Sequence, residues 1–366
     1  MIREFNNVSL LGRNSFGVDQ RAARLVEFET EDDLGELFAN GGPGRWTVLS
    51  GGNNILFTRD YDGTLLTPAS RGIRPLGEQS DGVRIAVDAG VEWDDLVEWS
   101  VERGLWGLEN LSLIPGKAGA APVQNIGAYG CEVRETIESV RMFCPETRNV
   151  LTLSAGHCGF GYRDSVFKHA LRGKAIITGL TLRLSRTPRP ALGYGDLARE
   201  VEARGGATLR NIREAVCAIR RSKLPDPAVQ GNAGSFFKNP TVGRAEAEKL
   251  RERYPDMPLY PAADPAEAKL AAGWRSYGDD RPPAPLRMGR LAEPRARLHD
   301  GRRRPPRRRF DRDLLHQPAA RHGTARTDGH LGPARRGGPA ADVRFAQGDS
   351  RIRRGAPHPV PRRFVE

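Results

Sequence analysis

The sequence predicts an α+β fold, and three observations predict it. Short alternating or continuous apolar runs dominate the first half. Amphipathic stretches bounded by capping residues and glycines lie between them, and the two kinds of pattern are mixed along one chain. At 366 residues the chain is long enough for two or three domains, each with its own buried core.

Trp46 to Leu49, Ile55 to Phe57, Thr64 to Leu66, Val83 to Val87 and Ala175 to Leu184 read as strands, because such residues suit a pleated, half-buried surface. Thr30-Glu-Asp-Asp33 opens a helix with Leu34, Leu37 and Phe38 on one face, and Gly41 and Gly42 end it. Trp93 to Glu102 sets Leu96, Val97 and Val101 at helical spacing and stops at Gly104. A second region begins near Thr208, where Ile212, Ala215, Val216 and Ile219 mark an amphipathic helix. It ends in Lys223-Leu-Pro-Asp-Pro227, since proline cannot continue it. Another helix runs from Arg244 to Tyr254. After Trp274 the pattern fails: only ten of the last 92 residues are Ile, Leu or Val, too few to offset the entropy of ordering them.

The formal charge of +12 invites a nucleic-acid partner, but its distribution argues against one. Residues 275–366 contain 23 Arg, no Lys and 10 acidic residues, a balance of +13, so the first 274 residues sum to −1. The four cysteines, Cys131, Cys144, Cys158 and Cys217, have neither C-x-x-C spacing nor the density of a disulfide scaffold, and read as reduced thiols of a cytoplasmic protein. The amino terminus has no basic segment leading into an apolar one, and no run approaches the ~18 apolar residues of a membrane span. The seven histidines form no ligand constellation, so no metal is expected.

Four segments carry the chemistry. Gly107 to Gly130 is too rich in small residues to build a core. Gly116, Gly119, Gly127 and Gly130 let backbone amides converge on an anion such as a diphosphate, although glycine spacing alone is also what plain turns show. Ser50-Gly-Gly-Asn-Asn54 is a second such turn. Alone it reads equally as a hairpin; together the two turns would make a clamp. In Phe160-Gly-Tyr-Arg-Asp-Ser165, Arg163 offers a fork of donors to a carboxylate or enolate, the bland alternative being an Arg163–Asp164 surface pair. In Gly231-Asn-Ala-Gly-Ser-Phe-Phe-Lys-Asn-Pro240, Ser235 reads as a turn serine or as a proton donor in a dry pocket. It is not an acyl-transfer nucleophile, because the G-x-S-x-G elbow and a neighbouring histidine are missing.

These segments, with Asn14-Ser-Phe-Gly17, Gly193-Tyr-Gly-Asp-Leu197, Lys223-Leu-Pro-Asp-Pro227 and Lys269-Leu-Ala-Ala-Gly-Trp274, resemble in order the UDP-N-acetylenolpyruvoylglucosamine reductase family of peptidoglycan synthesis. The resemblance covers about residues 10–274. It implies an FAD-binding domain of the vanillyl-alcohol-oxidase (PCMH) type in two subdomains over residues 1–200, and a smaller, incomplete α+β substrate-binding domain over residues 201–274. It implies an oxidoreductase that takes hydride from NADPH through FAD and reduces UDP-N-acetylglucosamine enolpyruvate to UDP-N-acetylmuramate. By the same carry-over, Asn53, Asn54, Pro115, Gly116, Gly119, Asn125, Gly127 and Ala128 would bind FAD, Tyr194, Lys223 and Asn239 the substrate, and Arg163 and Ser235 would be catalytic. A cytoplasmic monomer with no membrane or nucleic-acid partner is expected. The family's late Glu-Pro-Glu segment has no match; Glu293, in Ala-Glu-Pro-Arg, has the wrong setting. The change to Arg, Pro, Gly and Ala after Trp274 reads as a disordered arm or as out-of-frame translation of a GC-rich gene. A nucleic-acid role for Arg302 to Arg309 is not adopted. The competing functional class is a flavin-binding protein that has lost reductase turnover.

Overall fold

Strand β1 (Arg3–Ser9) turns back into β2 (Arg21–Phe28), whose Ala22, Leu25, Val26 and Phe28 are buried. The computed structural model describes residues 1–272 apart from 233, 235–237 and 263, together with 343–345. By its internal contacts the chain divides into Met1–Met288 with Ala341–Glu366, and Gly289–Ala340. Every described residue belongs to the first unit.

Helix α1 (Glu31–Leu37) starts where the sequence requires it. The Thr30 hydroxyl accepts from the Asp33 amide at 3.1 Å, and the Asp33 carboxylate accepts from the Thr30 amide at 3.0 Å. The chain then forms β3 (Trp46–Val48), β4 (Ile55–Phe57) and β5 (Tyr61–Pro68). The first sheet has the order β1-β2-β5-β3, antiparallel at β1–β2 and parallel at the other two joints. Because β3 pairs with β5 and not with β4, Ser50–Asn54 is not a hairpin turn.

A second, five-stranded sheet follows. It contains β6 (Ile73–Gln79) and β7 (Gly82–Asp88), then, after α2 (Trp93–Glu102) and the two-residue strands β8 (Gly127–Ala128) and β9 (Cys131–Glu132), β10 (Ile137–Cys144), β11 (Asn149–Ser154) and β12 (Ile176–Ser185). Its order is β11-β10-β12-β7-β6, antiparallel throughout. Its buried face packs on α2 and on the 107–130 segment, so Val83, Ile85, Val87, Leu96, Val97, Leu180 and Leu182 share one core with Leu108, Leu111, Ala118 and Ile126. The glycine-rich segment is therefore held from beneath by the main core.

Short helix α3 (Leu197–Glu202) leads to α4 (Leu209–Lys223), capped by the Thr208 hydroxyl on the Asn211 amide at 3.1 Å. Leu209, Ile212, Ala215 and Val216 bury one stripe of α4 against Leu197, Val201 and Trp106, while basic residues crowd its last turn, where they complement the helix dipole. The last described unit is a small sheet, β13-β15-β14, with α5 (Arg244–Arg253) inserted after β13 (Thr241–Gly243) and before β14 (Leu259–Pro261) and β15 (Glu267–Leu270). Strand β16 (Val343–Phe345) pairs antiparallel with β4. The rest of the Arg-rich tail, including Glu293 and Arg302 to Arg309, lies outside the described residues, as does Trp274.

Candidate active site

The two glycine-bearing turns meet. In the turn after β3, Gly52 has φ +66° and a Cβ there would lie 2.0 Å from the Arg13 carbonyl oxygen, so no other residue fits. A Cβ on Gly51 would come 2.3 Å from Asn53 Oδ1 and 2.9 Å from the Gly116 Cα, which brings the first turn onto the second. Gly116, at φ +117°, is anchored by its carbonyl, which accepts from the Trp93 amide at the start of α2 at 2.8 Å. In the direction a Gly116 side chain would take, Asn53 Oδ1 alone among the described residues lies within 4 Å, at 3.4 Å. Asn54 Nδ2 donates to Gln124 Oε1 at 3.0 Å, a second tie between the turns. Pro115 is exposed beside them. Gly119 instead permits close packing. Its amide donates to the Ala89 carbonyl at 3.0 Å, and a Cβ would sit 2.6 Å from Ala89 Cβ, so it lets the segment lie against the end of β7.

The Ser50 hydroxyl is buried with no hydrogen-bond partner among the described residues. An unused donor beside an open glycine turn suits a diphosphate, whose oxygens only accept. These residues fit FAD.

Asn125 organises the far end of the segment. It is fully buried, at φ +45°, a backbone region that asparagine tolerates better than most residues. Its Nδ2 donates to Glu132 Oε2 at 2.8 Å and to the Gly161 carbonyl at 2.9 Å, and its Oδ1 accepts from the Arg134 amide at 3.2 Å. That side chain is spent inside the protein, so its contribution is the shape of the loop that leads into Gly127 and Ala128 of β8. Arg163, at φ +56°, reaches the same loop: Nη1 donates to the Asn125 carbonyl at 3.4 Å and Nη2 to the Gly127 carbonyl. It makes no pair with Asp164, whose carboxylate instead lies 2.8 Å from His169 Nε2. Among the described residues no group of three or more His, Cys, Asp or Glu could hold a metal ion.

Beside Arg163 stands a cluster of phenols and cations. Tyr194 stacks on Tyr260 with centroids 5.1 Å apart and meets Tyr129 edge-on at 6.0 Å. Burial, with Tyr260 beside it, pushes the Tyr194 phenol up. Over the Tyr162 ring lie Lys269 Nζ at 3.9 Å, Lys238 Nζ at 5.3 Å and the Arg163 guanidinium at 5.6 Å. Burial pulls the Lys269 ammonium below its ordinary value, and neighbouring cations add to this. The Asn239 main chain hydrogen-bonds the Tyr162 phenol, and Asn239 Oδ1 accepts from the Ala272 amide at 3.0 Å. Arg163, Tyr194 and Asn239 thus come together. Lys223, exposed at the end of α4, is not brought into the cluster, and Ser235 lies outside the described residues. Sequence reasoning missed Tyr162, Tyr260, Lys238 and Lys269. Tyr260 and Lys269 face each other across β14 and β15, a pairing that no local pattern announces. Tyr162, Lys238 and Lys269 stood inside segments already singled out.

A glycine clamp on a core, with a cationic phenol-lined site beside it, defines a flavin-binding oxidoreductase, and a family model described as an FAD binding domain matches residues 22–153. The chain is 47% identical over 275 residues to the UDP-N-acetylenolpyruvoylglucosamine reductase of Chromobacterium violaceum, spanning 73% of this chain and 80% of that one. It is 46% identical over 272 residues to that of Pseudomonas aeruginosa, spanning 73% and 79%. A solved structure from Thermus caldophilus, also a UDP-N-acetylenolpyruvylglucosamine reductase, is 25% identical with a TM-score of 0.49 over 68% of this chain and 81% of that one. The chain belongs to the UDP-N-acetylenolpyruvoylglucosamine reductase family and is an FAD-dependent oxidoreductase.

Proposed function

We propose that this chain reduces UDP-N-acetylglucosamine enolpyruvate to UDP-N-acetylmuramate at the expense of NADPH, a step of peptidoglycan synthesis. The observation that carries the reading is Arg163, whose guanidinium spans from the Gly127 carbonyl of the flavin loop to the Tyr162 ring among two lysines. When bound, FAD would supply a two-electron relay between NADPH and the β carbon of the enolpyruvyl group. Negative charge then develops on the α carbon and its carboxylate, so the site needs a fixed cation and an acid. Arg163 holds that carboxylate and stabilises the charge; Ser235 delivers the proton to the α carbon. Asn53, Asn54, Gly116 and the 125–128 loop hold the cofactor, with Pro115 and Gly119 shaping the turn. Tyr194, Lys223 and Asn239 hold the UDP-sugar, and the ammonium groups of Lys238 and Lys269 favour its diphosphate.

In this reading residues 1–200 form the FAD-binding domain, which also lends Arg163 and Tyr194 to the substrate, and residues 201–274 form the substrate-binding domain, the division falling within α3. The protein acts as a cytoplasmic monomer without a nucleic-acid partner. Among the described residues no helix is long and apolar enough to cross a membrane.

The test is anaerobic stopped flow on the full chain with FAD, following bleaching by NADPH and then reoxidation by the enolpyruvyl UDP-sugar. Both phases at turnover rates are expected. A second reading, a flavoprotein without reductase turnover, is favoured by the fifth or so of the relatives' length that the alignments leave uncovered, the matched share being 80% and 79%. Bleaching without substrate-driven reoxidation would select it.

A further inference from the structure

The turn that carries Pro115 and Gly116 is gripped from two helices at one residue, Leu113. Leu113 has φ +58°, a strained conformation for a branched apolar side chain, so it persists only if its surroundings impose it. Its amide donates to Asp94 Oδ1, from the first turn of α2, at 2.5 Å. Its carbonyl accepts from Arg220 Nε, from the last turn of α4, at 3.2 Å. The ring is closed by Arg213, also on α4, whose Nη1 and Nη2 bind the two oxygens of Asp94 at 2.7 and 3.0 Å. This is a bidentate pair in a sheltered place, with side chains 14% and 30% exposed for Arg213 and Asp94. Burial pushes the Asp94 carboxyl up, but Arg213 and the Leu113 amide outweigh it and hold Asp94 below its ordinary value.

Two residues on, the chain enters the turn whose open glycine faces Asn53; at the end of α4 stands Lys223. Arg220 itself lies within electrostatic reach of Tyr129 and Arg163. Leu113 therefore cannot leave its conformation without disturbing α4, nor can α4 shift without freeing Leu113.

We propose that Arg213, Asp94 and Arg220 are positioning residues forming a clasp on Leu113 that links the flavin turn to α4, so that FAD and the UDP-sugar each tighten the other's binding. The inference rests on the substrate reading above. The physical basis is reciprocal linkage: whatever ligand orders the clasp from one side lowers the ordering cost from the other, and the two affinities change by the same factor.

The experiment measures the FAD dissociation constant of the full-length chain, by quenching of flavin fluorescence, with and without saturating enolpyruvyl UDP-sugar. In the wild type the sugar should tighten FAD by about fivefold or more. Arg213→Met should bring that ratio close to one, and Arg213→Lys, which keeps the charge but not the fork, should restore part of it. Asp94→Asn, which keeps an acceptor for the Leu113 amide, guards against a folding defect in the arginine variants and should lower the ratio too. A residue that only stabilises the fold would weaken FAD equally with and without sugar. If the wild-type ratio is one while the sugar still perturbs the flavin spectrum, or if the variants leave the ratio unchanged, the clasp is not a coupling device. If the sugar produces neither spectral change nor reoxidation in the wild type, the substrate reading fails, and this inference with it.

Discussion

The guanidinium of Arg163 donates to the main-chain carbonyl of Gly127, and a Cβ on residue 127 would lie 2.9 Å from Arg163 Nη1 and 2.9 Å from the Cys131 carbonyl oxygen. The loop proposed to hold the flavin and the cation proposed to face the substrate are therefore in direct contact, with no room between them for a methyl group.

Gly127→Ala should displace Arg163 and slow substrate-driven reoxidation more than flavin bleaching by NADPH. Loss of one aligned charge-stabilising donor costs about a hundredfold in rate. Stopped flow of the two half-reactions separates the effects, and equal slowing of both would mean that Arg163 does not act on the second step.

Gly51→Ala tests the clamp. The added methyl would lie 2.3 Å from Asn53 Oδ1 and 2.9 Å from the Gly116 backbone, so the two turns must part. Overpacking of this kind costs about 1–3 kcal/mol. Weaker FAD binding is expected, read by equilibrium dialysis, with secondary structure by circular dichroism unchanged.

Asn125→Ala removes three side-chain hydrogen bonds from a fully buried position and leaves alanine in a left-handed backbone conformation. The Glu132 carboxylate and the Arg134 amide both lose a partner. A loss of about 2–4 kcal/mol in unfolding free energy is expected, measured by urea titration of the apoprotein. An unchanged midpoint would show that the loop is held otherwise.

Glu109 is 3% exposed, and its Oε2 accepts from the Gly107 amide at 2.7 Å. Burial nevertheless raises its carboxyl above the ordinary 4.5, the nearby backbone amides opposing this only in part. The folded chain therefore holds this proton more tightly than the unfolded chain. Its contribution is most favourable below pH 4.5 and declines as pH rises from there through the raised folded value. Glu109→Gln removes that decline. Its urea midpoint should gain on the wild type as pH goes from about 5 to about 8, and parallel midpoints would refute the assignment.

Much of the architecture was legible in the residues. The capping box at Thr30 and Asp33, the stop at Gly104, the amphipathic stripe of α4 and five strands were read from patterns spanning a few residues. β1, β2, β6, β10 and β11 were not. Several are short of a clean alternation: β1 has no buried residue, and β11 has a single half-buried one, Leu153. Edge strands of this kind are chosen by pairing partners, not by their own side chains. The candidate site divides in the same way. Glycines with forced backbone geometry, such as Gly52 and Gly116, were visible because the requirement is local. The stacking of Tyr260 on Tyr194, residues from separate elements, was not.

By itself the sequence determined the family, helices α1, α2, α4 and α5, the cap at Thr30 and the glycine turns, because these depend on backbone propensities and motif order within short windows. Only the tertiary structure decided that Gly51 rests on Gly116, that Asn125 spends its side chain inside the loop, that Lys269 covers Tyr162, and that Asp94 and Arg220 grip the same residue. Most of those contacts join residues tens of positions apart, and they exist because burying the apolar faces of two sheets and α4 leaves one arrangement in which the polar groups carried on them can also be paired.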